Sequence, residues 1–266
     1  MHMLLILGLM GNPHPASAVE TGRVVHQVQD FEWSGRIERG KSIEIKGING
    51  DITAVSTGDN EVTVTAELRE GRRGDAADIE FEVLEHERGV TICAVYPSPR
   101  RRKPNECRAG SRGRMNTHDN DTEVEFTVHV PEGVNFVGRT VNGSIDAESL
   151  DGDVEAHTVN GRIDVSANGF AEATTVNGSI HASLGRADWT GALEFETVNG
   201  SITVELPDGV GADVTAKTLN GGIDTDFPLT VKGKFSSRRL TGTIGAGGRR
   251  IRLETVNGAV RIRRRN

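Results

Sequence analysis

The chain has 266 residues, of which 35% are hydrophobic and 26% are charged, and its formal net charge is −7. This apolar content can bury a core, as one large all-β domain or two small ones. A net negative charge gives no general attraction to nucleic acid, so no nucleic-acid partner is predicted. Glycine is abundant at 33 residues and aromatic residues are scarce at 4%. Together with many Val, Ile and Thr residues, this composition is typical of strands and tight turns.

The first residues have the pattern of an export signal. An apolar run at residues 4–10 is followed by Ala16, Ser17 and Ala18, which read as an A-x-A cleavage site. The run is too short to span a bilayer as a helix. The pattern predicts a signal peptide over residues 1–18 and an exported mature chain that is periplasmic, on the cell surface or secreted. Residues 1–3 carry no Lys or Arg, and the alternative interpretation is a buried N-terminal strand.

Residues 19–121 form a predicted N-terminal β-strand region. Residues 42–46, 61–66, 78–83 and 89–95 alternate apolar and polar side chains with a period of two, as half-buried strands do. Clusters of Gly, Asn and Asp separate these segments and indicate turns. No stretch of this region has a helical period.

Cys93 and Cys107 are the two cysteines of the chain. In an exported protein such a pair is expected to form a disulfide, which stabilises by roughly 3 kcal/mol on the chain-entropy model. Neither residue lies in a C-x-x-C motif, and no Cys/His grouping has zinc-site spacing, so no redox or metal role is predicted. If the chain is not exported, Cys93 is instead a buried strand residue.

A basic insertion interrupts the strand pattern at residues 97–121. Between residues 97 and 114 it has seven cations against Glu106 alone, and such a segment is expected to lie in solvent. Because clustered arginines bind phosphate and carboxylate groups, Arg100, Arg101, Arg102, Lys103 and Arg108 are the candidate anion-binding residues. The alternative is a solvated, disordered insertion without a binding role.

Residues 122–266 form a predicted β-solenoid repeat region. The letters T-V-N-G-S-I, or a close variant, occur six times, and a degenerate copy at Thr241 precedes the last. Successive copies are 18, 17, 22, 21, 21 and 16 residues apart, and a repeat of about 20 residues is typical of solenoids. Asn49 belongs to an outlying copy. The predicted structural turn ladder consists of Asn142, Gly143, Asn160, Gly161, Asn177, Gly178, Asn199, Gly200, Asn220, Gly221, Asn257 and Gly258.

The alternation of side chains predicts how each repeat is built. Thr158 and Ile163 both belong to the apolar set although they are an odd number of positions apart, so the Asn-Gly pair between them must be a turn. Asn and Gly tolerate the positive φ that such a turn is expected to need. An antiparallel meander and a coil both fit, and the coil is favoured because it wraps its apolar face around its own interior. The predicted fold is an all-β, single-stranded β-solenoid (β-helix-like) that is continuous with the N-terminal strands, with Thr and Ile pointing inward and Val outward.

The C-terminal segment is predicted to end this core. Ile262 is the last core residue, and the arginines of residues 261–265 are expected to be a polar cap on an exposed sheet edge.

The repeats, with residues 126–134 before them and 242–258 at their end, resemble the DUF4097 family of β-strand-repeat proteins, the so-called adhesins of bacterial envelopes. The resemblance covers about residues 35–263, and the insertion at residues 97–121 departs from the family's compact pattern. It implies a β-solenoid in an exported or surface-exposed protein of bacterial type. It implies no catalytic residues, because the family has no recognised active-site motif.

The sequence therefore favours a non-enzymatic envelope protein that displays a scaffold or adhesin-like binding surface. Anionic envelope polymer, a membrane surface or another envelope protein are the partner classes that fit the basic insertion. No catalytic, cofactor-binding or metal residue is predicted, since Asp146, Asp151 and Asp153 do not follow a calcium-binding repeat. The alternative is a carbohydrate-active enzyme, a polysaccharide lyase or hydrolase on a parallel β-helix, an analogy that rests on the fold alone.

Overall fold

The computed structural model describes residues 31–98, 103–111, 113–117, 119–231 and 236–265. The predicted signal peptide and the candidate residues Arg100, Arg101 and Arg102 lie outside these ranges. Within them the chain forms strands and one short 3-10 helix (Ala76–Asp78), so the all-β prediction is confirmed. No helix in the described ranges is long and apolar enough to cross a membrane. The strands are β1 (Phe31–Gly35), β2 (Ser42–Lys46), β3 (Ile52–Thr57), β4 (Val62–Arg69), β5 (Glu80–His86), β6 (Gly89–Val95), β7 (Glu123–Pro131), β8 (Asn135–Arg139), β9 (Ile145–Leu150), β10 (Val154–His157), β11 (Ile163–Ala167), β12 (Ala171–Asn177), β13 (Ile180–Leu184), β14 (Ala192–Asn199), β15 (Ile202–Leu206), β16 (Ala212–Asn220), β17 (Ile223–Thr225), β18 (Leu229–Val231), β19 (Arg239–Ile244), β20 (Arg249–Asn257) and β21 (Val260–Arg264).

The strands form two large sheets that face each other. Sheet A has the order β1-β4-β7-β3-β9-β11-β13-β15-β21-β17, and sheet B has the order β18-β19-β16-β20-β14-β12-β10-β8-β2-β6-β5. At each Asn-Gly corner the chain leaves sheet B and enters sheet A. The strands that flank the corners pair in parallel with those one coil away, for example β10 with β12 and β11 with β13. A meander would pair neighbouring strands antiparallel, so the chain coils, in the β-solenoid-like manner that was predicted.

The core lies between the two sheets and contains the apolar side chains of both. In the coil around Asn160, Val154, Ala156 and Ile163 are at most 1% exposed. Burying each Val or Ile side chain contributes about 2 kcal/mol before the entropy of ordering it is subtracted. Thr158 at the corner is also buried, whereas the next residue, Val159, points out and is 39% exposed. Thr and Ile therefore point inward and Val outward in this coil.

The coils do not stack in the order of the sequence. The corner at Asn257 lies between those at Asn199 and Asn220, because β20 pairs with both β14 and β16, and β21 pairs with both β15 and β17. The degenerate copy at Thr241 forms no corner, since it lies within β19, which runs antiparallel to β16 near the edge of sheet B. In its inner position the last coil has hydrogen-bonding partners on both sides, which a terminal position would not provide.

The C-terminal arginines do not cap an edge, because β21 is an inner strand of sheet A. Ile262 is fully buried in the core. On the outer face, the Arg263 guanidinium lies 2.7 Å from Asp224 and 2.8 Å from Asp226. These ion pairs join β21 to the terminal strand β17 and the turn after it.

The N-terminal strands continue the same stack of coils. β2 and β3 flank the Asn49 corner and pair in parallel with β8 and β9, so the copy that is an outlier in the sequence is the first corner of the ladder. β6 and β7 form the coil beyond it. Between these two strands, where other coils have an Asn-Gly corner, the chain forms the basic insertion. Strands β1, β4 and β5 close this end by antiparallel pairing.

Candidate functional site

The asparagines of the corners form one continuous row of hydrogen-bonded amides on one edge of the solenoid. Except at Asn49, which accepts only, each side-chain Nδ2 of the row donates to the Oδ1 of the asparagine one coil away, at 2.7–2.9 Å. One donor and one acceptor of each inner amide are therefore used within the row. This use favours a structural role for the row over ligand recognition. The order of the row is Asn49, Asn142, Asn160, Asn177, Asn199, Asn257 and Asn220.

Threonine and glycine add two further hydrogen bonds to each step of this corner ladder. The Thr175 hydroxyl donates to the carbonyl oxygen of Gly161 at 3.0 Å, and the N–H of Gly161 donates to the carbonyl oxygen of Asn177 at 3.0 Å. The hydroxyls of Thr158 and Thr197 make the same bond at 2.8 Å. Each corner is thus fixed to its neighbour through buried as well as exposed groups.

Glycine is required at the corners for close approach, and the expectation of positive φ is wrong at most of them. Gly50 has a φ of 113°, but the other corner glycines do not have positive φ. A Cβ at Gly178 would instead lie 1.9 Å from the carbonyl oxygen of Gly161, and one at Gly200 equally close to that of Gly178. The backbones of adjacent coils are therefore in direct contact at this edge.

The described part of the basic insertion is fixed to the outer face of sheet B. A disulfide joins Cys93 in β6 to Cys107 in the insertion, with 5.9 Å between their Cα atoms. Both cysteines pack with Val95, and partly buried Leu84 and Met115 cover this small apolar cluster. The outer face of β6 is therefore buried beneath the described part of the insertion, which corrects the expectation that this segment lies in solvent.

Two buried charged residues of β2 also bind the insertion. Lys46 donates hydrogen bonds to the backbone carbonyls of Arg108 and Gly110. Glu44 accepts from the N–H of Gly110 at 2.8 Å and from the Nε of Arg139 at 3.0 Å. The pKa of Lys46 is lowered, mainly by burial and also by the charge of Arg139, while Glu44 opposes the shift. We call Glu44 and Lys46 the anchor pair.

Sequence reasoning missed the anchor pair. In the pattern Ser-Ile-Glu-Ile-Lys both residues occupy positions that face outward, and outward charges are normally solvated. They are buried here because the insertion, more than 60 positions later, lies on top of them. Nothing local to β2 indicates such a contact.

The described basic residues of the insertion surround a surface concavity of about 620 Å³. Lys103, Arg108 and Arg114 line it, together with Glu106. Arg108 pairs with Glu106 at 2.5 Å, and Arg114 donates to the carbonyl oxygen of Pro104 at 3.0 Å. The structure thus brings the candidates Lys103 and Arg108 together and adds Arg114, which the sequence placed in the insertion but not in the site.

A second concavity of about 510 Å³ lies on the outer face of sheet B. Three glutamates on adjacent strands, Glu155, Glu172 and Glu194, stand in register along it. The pKa of Glu172 is raised, mainly by burial and further by the charges of Glu155 and Glu194, against the lowering effects of His157 and Arg139. Each glutamate precedes a corner threonine by three positions, which is the signal by which the sequence could have revealed the row.

The glutamate row does not favour the carbohydrate-active alternative. Glycosidases place an acid and a second carboxylate on either side of the bond that they cleave, whereas these three side chains stand side by side on one sheet face. No group of three or more His, Cys, Asp or Glu in the described ranges is placed to hold a metal ion.

Comparisons with known proteins found a matching family and several similar solved structures. A family model, Toastrack DUF4097, matches residues 116–263. A crystal structure of a proposed cell adhesion protein from Clostridium sporogenes is 12% identical with a TM-score of 0.48, and the match covers 89% of this chain and all of the other. A proposed adhesin from Bacteroides fragilis is 11% identical with a TM-score of 0.31, covering 89% and 97% of the two chains. One from Parabacteroides distasonis is 11% identical with a TM-score of 0.24, covering 88% and 97%. None of the curated proteins compared with the chain matches it.

Proposed function

Because this chain belongs to the Toastrack DUF4097 family, we propose that it is an exported, non-enzymatic protein of the bacterial cell envelope. Its solenoid serves as a rigid scaffold, and the basic insertion is the surface with which it binds anionic groups of the envelope. Phosphate and carboxylate groups of an envelope polymer, or the headgroups of acidic lipids, have the required chemistry.

Export is supported by the disulfide and by the pattern of the first residues. Disulfides persist in oxidising compartments outside the cytoplasm, and Cys93 and Cys107 are joined. The proposed signal peptide at residues 1–18 supplies a route to such a compartment.

The observation that carries the binding proposal is the anchoring of the insertion. A flexible basic segment loses conformational entropy when it binds, whereas a fixed one has lost it already on folding. Here the disulfide and the anchor pair hold residues 107–110 against sheet B. Lys103, Arg108 and Arg114 around one concavity then offer several donors to one anionic group.

The experiment that tests this function is a pull-down of fractionated cell envelope with the chain from residue 19 onward. The first variant replaces Arg100, Arg101, Arg102 and Lys103 by Ala. The matched control replaces four exposed arginines elsewhere, Arg36, Arg238, Arg239 and Arg250, by Ala, so that the change in net charge is the same.

We expect the parent and the control to retain an envelope fraction that the first variant loses. Separate assays with acidic-lipid vesicles and with soluble polyphosphate then distinguish a lipid from a polymer ligand. Equal retention by all three proteins would reject the basic insertion as the binding surface. If the parent protein retained no envelope fraction, the envelope-binding function itself would be rejected.

A further inference from the structure

The chain contains eight Asn-Gly pairs, and this dipeptide has a characteristic side reaction. The backbone nitrogen of the glycine can attack the side-chain carbonyl carbon of the preceding asparagine, because glycine has no Cβ to hinder the approach. The reaction requires that the nitrogen lose its proton and that the asparagine side chain turn toward it. Hydrogen bonds that hold either group oppose the reaction.

Six of the seven corner glycines have an N–H that is held in this way. The N–H groups of Gly50, Gly143, Gly161, Gly178, Gly200 and Gly258 donate to the carbonyl oxygen of the asparagine one coil away, at 2.9–3.1 Å. The five inner asparagine side chains are each bonded to an amide on both sides. The Asn49 side chain has one such bond, to Asn142, but the N–H of Gly50 is occupied.

The corner at Asn220 differs because, in the part of the chain that the structure describes, no coil follows it in the stack. The side chain of Asn220 donates to Asn257 at 2.8 Å and has no described asparagine on its other side. The N–H of Gly221 has no hydrogen-bond acceptor among the described residues. Strand β17, which follows this corner, is the last strand of sheet A and pairs with β21 alone.

We propose that Asn220 is a site of spontaneous deamidation, to which the other six corners are resistant. After its proton passes to water, the nitrogen of Gly221 forms a bond to Cγ of Asn220. The bond between Cγ and Nδ2 breaks, and Nδ2 takes up a proton and leaves as ammonia, so that a five-membered succinimide remains. Water then opens either C–N bond of the ring and gives aspartate or isoaspartate. The net change is the gain of one water and the loss of one ammonia, without oxidation or reduction.

The modification would alter the end of the corner ladder. An aspartate at position 220 has no N–H to donate to Oδ1 of Asn257, and its carboxylate faces that oxygen instead. Isoaspartate in addition lengthens the backbone by one carbon at the residue where β16 ends. Both products weaken the attachment of the terminal coil, which makes Asn220 an ageing-sensitive point of the scaffold.

The test is peptide mapping by mass spectrometry after prolonged incubation of the intact protein at mildly alkaline pH. Deamidation at all eight Asn-Gly pairs is quantified in one digest, so the six protected corners are internal controls. Asn168-Gly169, on the opposite edge, is a folded-state reference, because the N–H of Gly169 also has no acceptor among the residues that the structure describes. A urea-denatured sample shows the reactivity that each pair has without the fold.

We expect Asn220 to be deamidated at least about fivefold faster than any of the six other corner asparagines, the rate equivalent of one hydrogen bond lost. In urea the seven corners should react at similar rates. Equal rates in the folded protein, or a product at Asn168 without one at Asn220, would overturn the proposal. In the variant Asn220→Gln, whose ring would have six members, the product at this position should disappear while the product at Asn168 stays.

Discussion

The carboxylate of Glu44 accepts a hydrogen bond of 2.8 Å from the backbone N–H of Gly110, a residue 66 positions further along the chain. Its other oxygen accepts from Arg139 on the next strand of sheet B. One buried side chain therefore joins β2, β8 and the basic insertion. This contact makes the insertion part of the scaffold.

Loss of the anchor pair should release the insertion. In Lys46→Met the two hydrogen bonds from Nζ to the insertion disappear, and we expect trypsin to cut between residues 97 and 114 several times faster than in the parent. Fragments are read on a reducing gel, because the disulfide holds the nicked chain together. Lys41→Met is the matched control, since Lys41 pairs with Glu38 in an exposed turn. Equal cleavage of both variants would contradict an anchoring role for Lys46.

A methyl group at a corner glycine should be strongly destabilising. In Gly178→Ala the new Cβ would lie 1.9 Å from the carbonyl oxygen of Gly161. Backbone cannot yield as a side chain does, so we expect a loss of about 3 kcal/mol in the free energy of unfolding, the upper end for overpacking. Gly222→Ala is the control, because nothing lies within 4 Å of its added Cβ. Chemical denaturation measures both, and a neutral Gly178→Ala would refute the close-approach explanation.

The buried corner hydroxyls should contribute to stability although the exposed valines beside them do not. Thr175→Val keeps the shape of the side chain but removes the donor to Gly161. We therefore expect the free energy of unfolding to fall by about 1–2 kcal/mol. Val176→Thr changes an exposed neighbour and should alter the free energy of unfolding by less than about 0.5 kcal/mol. If the two changes had similar effects, the hydrogen bond would have no measurable role.

Glu172 should make the protein less stable as the pH rises. The pKa of Glu172 is raised in the folded protein by burial and by its two glutamate neighbours, so between the ordinary pKa of 4.5 and the folded value the folded state binds more protons than the unfolded state. The stabilisation that the protonated Glu172 contributes is present below pH 4.5 and is lost as the pH rises through the pKa of Glu172 in the folded protein.

The variant Glu172→Gln should therefore be more stable than the parent at neutral pH, by less than about 1 kcal/mol because the group is partly solvated. The difference should shrink as the pH falls below 4.5. Thermal unfolding of both proteins across this range measures it. A variant that is less stable than the parent at neutral pH would show that the carboxylate makes favourable contacts instead.

The local features of the fold could be predicted because they depend on neighbouring residues. The parity of Thr158 and Ile163 about the corner followed from counting positions, and both are buried. The order of the coils could not be predicted, since the repeat at Asn199 could stack equally well on the repeat at Asn220 or on the one at Asn257. Which one lies next to it depends on the chain between β17 and β20, where the degenerate copy at Thr241 lies within β19 and forms no corner.

The candidate site was predictable in composition but not in structure. Counting charges located the insertion and named Lys103 and Arg108. The buried positions of Glu44 and Lys46 depend on a contact more than 60 positions away, which no local pattern encodes. The use of glycine for close approach was missed for a related reason: a Cβ at Gly178 is obstructed by another coil and not by its own turn.

The proposed function is best tested by measuring how the mature chain binds acidic-lipid vesicles and soluble polyphosphate over a series of salt concentrations. If the anchored insertion is the binding surface, the parent should bind at least one of these probes with an affinity that falls as salt rises. The variant with Arg100, Arg101, Arg102 and Lys103 replaced should lose that binding, and Lys46→Met should weaken it without any change in the charge of the insertion. Binding that is insensitive to salt, or equal in all three proteins, would contradict a binding role for the insertion.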